Sequence, residues 1–245
     1  MTGTDVEVAA RGARGAADVL VSLRAGDLTG RPLGDAGDAA AQRAIVAVLT
    51  ADRPGDVVFS EEAVDDPRRL RAERVWIVDP LDGTREYGEG RSDFAVHVAL
   101  WADGDLAAAA VALPALGELL VTEPAPVVPP SSADRRRIAV SRTRPPAVAD
   151  AVATALDAEL VPLGSAGYKT VAVARGEVDA YVHAGGMYQW DSAAPVAVAR
   201  AAGLTTCRLD GSPLVYNAPD PYLPDLLVCR PELADRVLAA VRSRS

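Results

Sequence analysis

With only two cysteines, Cys207 and Cys229, in 245 residues, the chain lacks the material for a disulfide framework. The pair also lacks metal-ligand spacing, so both read as ordinary thiols near strands. No apolar run approaches the ~20 residues of a membrane span. The first residues mix Asp5, Glu7, Arg11 and Arg14 and have no signal-peptide plan, which makes the cytoplasm the expected location. An excess of basic charge is missing too. The formal charge of −9 argues against a nucleic-acid polymer as partner, because such binding neutralises phosphates with basic patches. Small phosphates remain open, since carboxylates gathered around divalent ions leave a site locally neutral or positive. There is no internal repeat, and an apolar content of 49% suits one large domain or two closely joined halves.

What is present is a turn rich in oxygen donors. In Trp76-Ile77-Val78-Asp79-Pro80-Leu81-Asp82-Gly83-Thr84, residues 74–78 read as a buried strand that Pro80, with no amide hydrogen to give, stops after Asp79. Gly83 takes a turn at low steric cost, so Asp79 and Asp82 can converge with the Leu81 carbonyl. Carboxylates this close must share a proton or take up a cation, and an all-oxygen set suits Mg²⁺ or Mn²⁺. An isolated D-x-x-D is equally readable as a helix cap. Two further acidic ends add weight to the cation reading. They are a short strand ending in Ser60-Glu61-Glu62, and Trp190-Asp191-Ser192-Ala193-Ala194 at a helix start.

Periodicity predicts helices over 5–24, 39–50, 147–157, 166–175, 191–202 and 231–241, with a Gly- and Asp-rich loop over 26–38 that could act as a lid. Strands over 94–101, 106–113 and 119–122 form an antiparallel meander. The proline-rich stretch 124–132 reads as a connector. Beyond it, strands over 137–141, 159–163 and 178–183 alternate with helices, a mixed or parallel pattern. Two halves result: residues 1–130, an α+β half with most of the acidic ends, and residues 131–245, an α/β half with Asp191.

S-E-E, D-P-L-D-G-T and W-D-S-A-A in this order, with G-D-A-A-A-Q at 37–42 and G-S-A-G-Y-K at 164–169, resemble the lithium-sensitive, Mg²⁺-dependent inositol monophosphatase superfamily over nearly the whole chain. D-G-T-R-E-Y followed by S-D-F-A-V-H-V-A-L is most similar to its bacterial CysQ branch, the 3′-phosphoadenosine 5′-phosphate phosphatases of sulfate assimilation. The resemblance implies an α+β fold, a layered α/β/α/β/α sandwich, and a phosphomonoesterase using two or three Mg²⁺ ions, with Mn²⁺ as a substitute. It implies that Glu61, Asp79, the Leu81 carbonyl, Asp82 and Asp191 are metal ligands. Glu62 is either a ligand of a further, weaker ion or a solvated neighbour. Thr84 matches the family's water-orienting threonine, a role compatible with a helix N-cap, and Asp38 matches its hydrogen-bonded aspartate.

For substrate, the amides of Gly83 and Thr84 could cradle the scissile phosphate, while Ser165, Lys169 and Asp191 face the sugar or the second phosphate. His183 stands where nucleotidase relatives often place arginine. It is either a weaker phosphate contact or a buried hydrogen-bonded ring. His97, inside an alternating strand, reads as structural. Relatives are often dimers, so a homodimer is expected. Inositol monophosphate and fructose 1,6-bisphosphate are rival substrates of the same chemistry, and a non-catalytic Mg²⁺- and nucleotide-binding regulator is a reading of a different class.

Overall fold

Each strand of the first half divides its residues between two faces, and the two faces meet different helices. The structure, a computed structural model, describes residues 3–131 and 135–243. Helix α1 (Asp5–Arg24) begins at Thr4, whose side chain accepts from the Glu7 amide while the Glu7 carboxylate accepts from the Thr4 amide. That reciprocal capping fixes the start that the apolar spacing predicts.

Helix α2 (Gly30–Asp52) corrects the expected loop over 26–38, which is helical from Gly30 onward. Pro32 stands in the first turn, where no amide is needed. Gly34 is there for close packing, because a Cβ would come within 2.7 Å of Thr84 Cγ2. Asp38 is therefore a buried residue inside a helix, and nothing hangs as a lid.

Strands β1 (Val57–Ser60), β2 (Arg74–Asp82), β3 (Ala95–Ala102), β4 (Asp105–Leu113) and β5 (Glu118–Val121) form one sheet in that order. β1 is parallel to β2 and the rest are antiparallel, as the meander predicts. β2 does not stop at Pro80. It runs to Asp82 through a bulge, with Asp79 opposite His97 and Asp82 opposite Ala95. The bulge, just beyond the end of β1, puts Pro80 where the ladder needs no amide. A short helix, α3 (Thr84–Gly88), follows.

The stretch 124–131 has no regular structure, in keeping with a connector, and Ser132 lies outside the described residues. Then come β6 (Arg136–Ser141), α4 (Ala149–Leu156), β7 (Ala158–Leu163), α5 (Ala166–Ala174), β8 (Ala180–Tyr188), α6 (Gln189–Ala201), β9 (Thr205–Cys207), β10 (Tyr222–Cys229) and α7 (Ala234–Arg242). The second sheet has the order β7-β6-β8-β10-β9 and is mixed. β8 continues past His183 to Tyr188, so His183 lies within the strand rather than at its end. β10 escapes the pattern because Pro224 interrupts it, at a register break between Leu223 and Asp225. Cys207 and Cys229 are buried, unlinked thiols on β9 and β10.

Alternation sorts the layers. Trp76, Val78, Val96 and Val98 pack under α1 and α2, whereas Val75, Ile77, Ala99 and Val111 face α5 and α6. Ala139, Tyr181 and Val228 close that central layer from the second sheet, and Ile138, Val140 and Val182 face α4 and α7. The result is an α/β/α/β/α sandwich. No described helix is long and apolar enough to cross a membrane.

Candidate active site

Asp79 shares the parity of Val75 and Ile77, so it points into the central layer, and it is fully buried. Its Oδ1 accepts from the Leu81 amide at 3.0 Å, which closes the turn on itself. Its Oδ2 is buried with no partner. Donor atoms of Glu61, at the end of β1, and Asp191, in the first turn of α6, converge on it, all three lying within 4.8 Å of one another. Asp79, Asp82 and His97 form a second such group. Three acidic ends remote in sequence thus meet at one place.

Crowding of like charges in a low-dielectric site shows in the acidities. Burial, then the neighbouring Asp82, Glu61 and Asp191 charges, hold the Asp79 carboxyl well above the usual range. Glu61 is exposed at the rim of the cluster, but the partial enclosure of its carboxylate, then Asp82 and Glu62, push it up to about 7. Asp191 rises to about 8 through burial and then Asp82. An orphaned buried oxygen amid carboxylates that resist ionising together fits a hard divalent cation. Glu62 is exposed and belongs to neither group, as a solvated neighbour would.

Gly83, at φ 92°, makes the left-handed turn that delivers Thr84 to the start of α3. The Thr84 hydroxyl donates to the Leu81 carbonyl at 3.1 Å and is also hydrogen-bonded to the Asp38 carboxyl. Burial, then Glu62 and Glu61, raise Asp38 to about 7. The pair expected from the sequence is therefore assembled, with Asp38 supplied by the α2 helix.

The second half grips Asp82 directly. Its Oδ2 accepts from the Ser165 hydroxyl and, at 2.5 Å, from the Gly167 amide. Ser165 also caps α5 by accepting from the Tyr168 amide. Asp93, at the start of the first half's meander, accepts from the Gly164 amide at 2.6 Å. Lys169 is buried, and its ammonium donates to the Gly164 and Ser165 carbonyls and lies 5.1 Å from the Tyr181 ring centroid. Burial lowers it to about 8.

A pocket of about 590 Å³ leads away from Asp82, Gly83 and Asp191 past Ser165, Lys169 and His183 to Arg144. Thr84 lines a different hollow, beside Gly30 and Asp35. His183 Nε2 is 2.9 Å from the Gly186 carbonyl, and burial lowers its pKa, so the ring is neutral near pH 7.

Two residues of this region have no catalytic or binding role in the sequence reading, His97 being read there as structural. His97 is completely buried, with Nδ1 3.1 Å from the Trp190 carbonyl and Nε2 3.5 Å from Asp82 Oδ2. Its register opposite Asp79 was the signal available, once the Pro80 bulge is placed. Arg144 is exposed at the pocket, and its side chain forms no ion pair with an acidic residue among the described residues. A lone arginine in a turn carries no sequence signal.

A two-sheet, five-layer sandwich with clustered carboxylates where its halves meet defines a class of metal-dependent phosphatases. The chain belongs to the inositol monophosphatase family, whose model matches residues 29–245. It is 49% identical over 254 residues to the 3′-phosphoadenosine 5′-phosphate phosphatase of Mycobacterium leprae, covering 98% of this chain and 94% of the relative. The protein of that name from Mycobacterium bovis is 52% identical over 218 residues, covering 85% and 82%. Among solved structures, CysQ from Bacteroides thetaiotaomicron, a bacterial member of the same family, superposes with a TM-score of 0.80 at 25% identity, covering 92% of this chain and 97% of that one.

Proposed function

We propose that this chain is a Mg²⁺-dependent phosphomonoesterase that removes the 3′-phosphate of 3′-phosphoadenosine 5′-phosphate, giving AMP and inorganic phosphate. The observation that carries the reading is the convergence of Glu61, Asp79 and Asp191 around an orphaned Asp79 oxygen. Relatives at 49% and 52% identity that bear the name of this activity support the substrate. In this reading Glu61, Asp79, the Leu81 carbonyl, Asp82 and Asp191 hold two or three Mg²⁺ ions, with Mn²⁺ as a substitute. Divalent ions at such a site lower the pKa of a bound water and offset charge on the phosphate oxygens.

The chain's own residues do the rest. Thr84 orients the attacking water, and Asp38, hydrogen-bonded to Thr84, takes up its proton. Gly83 and Ser165 line the approach of the scissile phosphate. Lys169 has two of its three donors committed to loop carbonyls and one left for the substrate. The neutral His183 ring contributes shape and a hydrogen bond, and Arg144 supplies the charge for the 5′-phosphate. The reading places the enzyme in the cytoplasm, as a homodimer that clears a by-product of sulfate assimilation.

The test is a comparison of kcat/KM, with Mg²⁺, for 3′-phosphoadenosine 5′-phosphate, inositol 1-phosphate and fructose 1,6-bisphosphate. The bisphosphorylated nucleotide should rank first. A higher value for either sugar phosphate would reassign the substrate, and no phosphate release from any of the three would overturn the enzyme.

A further inference from the structure

Segment 217–220 bridges two stretches of chain that each lead to a candidate metal donor, and it belongs to neither. On one side is Arg69, in the turn of 3-10 helix Pro67–Arg71, eight residues beyond Glu61. Arg69 is a charged residue only 1% exposed. All five of its N–H donors are spent. Nε and Nη2 donate to Asp65 at 2.6 and 3.0 Å, Nη1 donates to Asn217 Oδ1 at 3.1 Å and to the Ala218 carbonyl at 2.9 Å, and Nη2 donates to the Pro219 carbonyl at 3.3 Å. Its guanidinium lies 4.1 Å from the Phe59 ring centroid, two residues before Glu61.

On the other side is Gln189, fully buried at the first position of α6 and two residues before Asp191. It holds the same segment, accepting from the Asn217 amide at 2.6 Å and donating to the Asp220 carbonyl at 2.9 Å. Asn217 returns a bond to Arg69, its Nδ2 donating to the Arg69 carbonyl at 3.0 Å. Phe59 meets Trp190 edge-on at 5.2 Å, which adds an apolar contact beside the polar one.

Resting on the reading of Glu61 and Asp191 as metal donors, we propose that Arg69, Asn217 and Gln189 form a latch of positioning residues that holds those two carboxylates at metal-binding separation across the two sheets. Glu61 follows the last strand pair, Ser60 with Val78, and its backbone amide donates to the Val78 carbonyl at 3.3 Å, where the pairing ends. That bond fixes the Glu61 backbone to the first sheet, and the latch adds a polar tie from residues 61–71 to α6, the helix that carries Asp191. Arg69 has no donor left for a substrate, so its role is indirect. Partners of this kind, one step removed from the metal, commonly change affinity on the order of 10- to 100-fold.

The test is calorimetric titration of the full chain with Mn²⁺ alone, for wild type, Arg69→Met, Asn217→Ala, Gln189→Ala and the Arg69→Met/Gln189→Ala double variant. The expected result is a Kd for Mn²⁺ raised on the order of 10-fold in each single variant. The double variant should be little worse than either single one, because both break the same connection. If Arg69→Met fails to fold, Asn217→Ala and Gln189→Ala, which remove no buried charge, carry the same test. A latch that is only structural would lower the melting temperature and leave the Mn²⁺ affinity at the wild-type value, and that result would overturn the proposal. A wild-type chain that binds no Mn²⁺ would overturn the metal site itself.

Discussion

The Gly167 amide donates to Asp82 Oδ2 at 2.5 Å, so the second half's helix α5 holds a carboxylate of the first half's sheet. The same glycine makes room for His97, since a Cβ at position 167 would sit 1.8 Å from His97 Nε2. Both contacts depend on one residue with no side chain. Gly167→Ala should therefore destabilise the fold by about 1–3 kcal/mol, the usual scale of overpacking. It should also lower kcat/KM, because Asp82 and α5 can no longer approach. Urea denaturation and steady-state kinetics on the same preparation check both effects.

Asp79→Asn separates folding from function. Asparagine keeps an acceptor for the Leu81 amide, which Asp79 now provides through Oδ1, and removes a charge that burial and three neighbouring carboxylates oppose. The ion-free variant should melt at a higher temperature than ion-free wild type. Its activity should fall at least about 100-fold, because the orphaned Oδ2 that a cation needs is no longer anionic. Differential scanning calorimetry in EDTA, paired with a phosphate-release assay, reads the two opposite signs.

The raised acidities fix the direction of pH dependence. Glu61 and Asp38 move from 4.5 and 3.8 to about 7, and Asp191 moves from 3.8 to about 8. Below about 4 both the folded and the unfolded chain hold these protons. As pH rises from there toward 7–8, the unfolded chain releases protons that the folded one keeps, so these groups make the ion-free protein progressively less stable. The melting temperature without metal should fall over that window in wild type, and fall less in Asp191→Asn. Mg²⁺ competes with the protons, so its stabilising effect should be larger at about pH 8 than at about pH 5.

Arg144 and His183 should divide by charge. Arg144→Ala should raise KM for 3′-phosphoadenosine 5′-phosphate on the order of 10-fold, the scale of one charge-assisted hydrogen bond, and leave KM for 3′-AMP unchanged. His183→Ala should have a smaller effect on that comparison, because burial keeps the ring neutral and the Gly186 carbonyl engages it. Equal KM changes for both substrates in Arg144→Ala would remove Arg144 from 5′-phosphate recognition.

What could be read from the chain follows how local the cause is. Helix α1 was legible to the residue because its signal, the apolar spacing, lies within the helix itself. The turn from Asp79 to Thr84 was legible because one tight turn brings its donors together. The start of α2 was not, since Gly34 looks like a loop residue until Thr84 is seen packed against it. Pro80 and Pro224 each hide a strand by sitting at a bulge, which only the partner strand reveals. His97 looked like any residue of an alternating strand, and its place beside Asp82 depends on the register across that bulge. The Arg69–Asn217 contact spans 148 residues and has no pattern in the sequence at all.

The central claim is tested most directly by phosphate release from 3′-phosphoadenosine 5′-phosphate by the purified chain, with Mg²⁺ and with EDTA, alongside Asp82→Asn. The account predicts release that requires Mg²⁺ and is lost in Asp82→Asn while that variant stays folded. Release in EDTA, or wild-type turnover by Asp82→Asn, would contradict it.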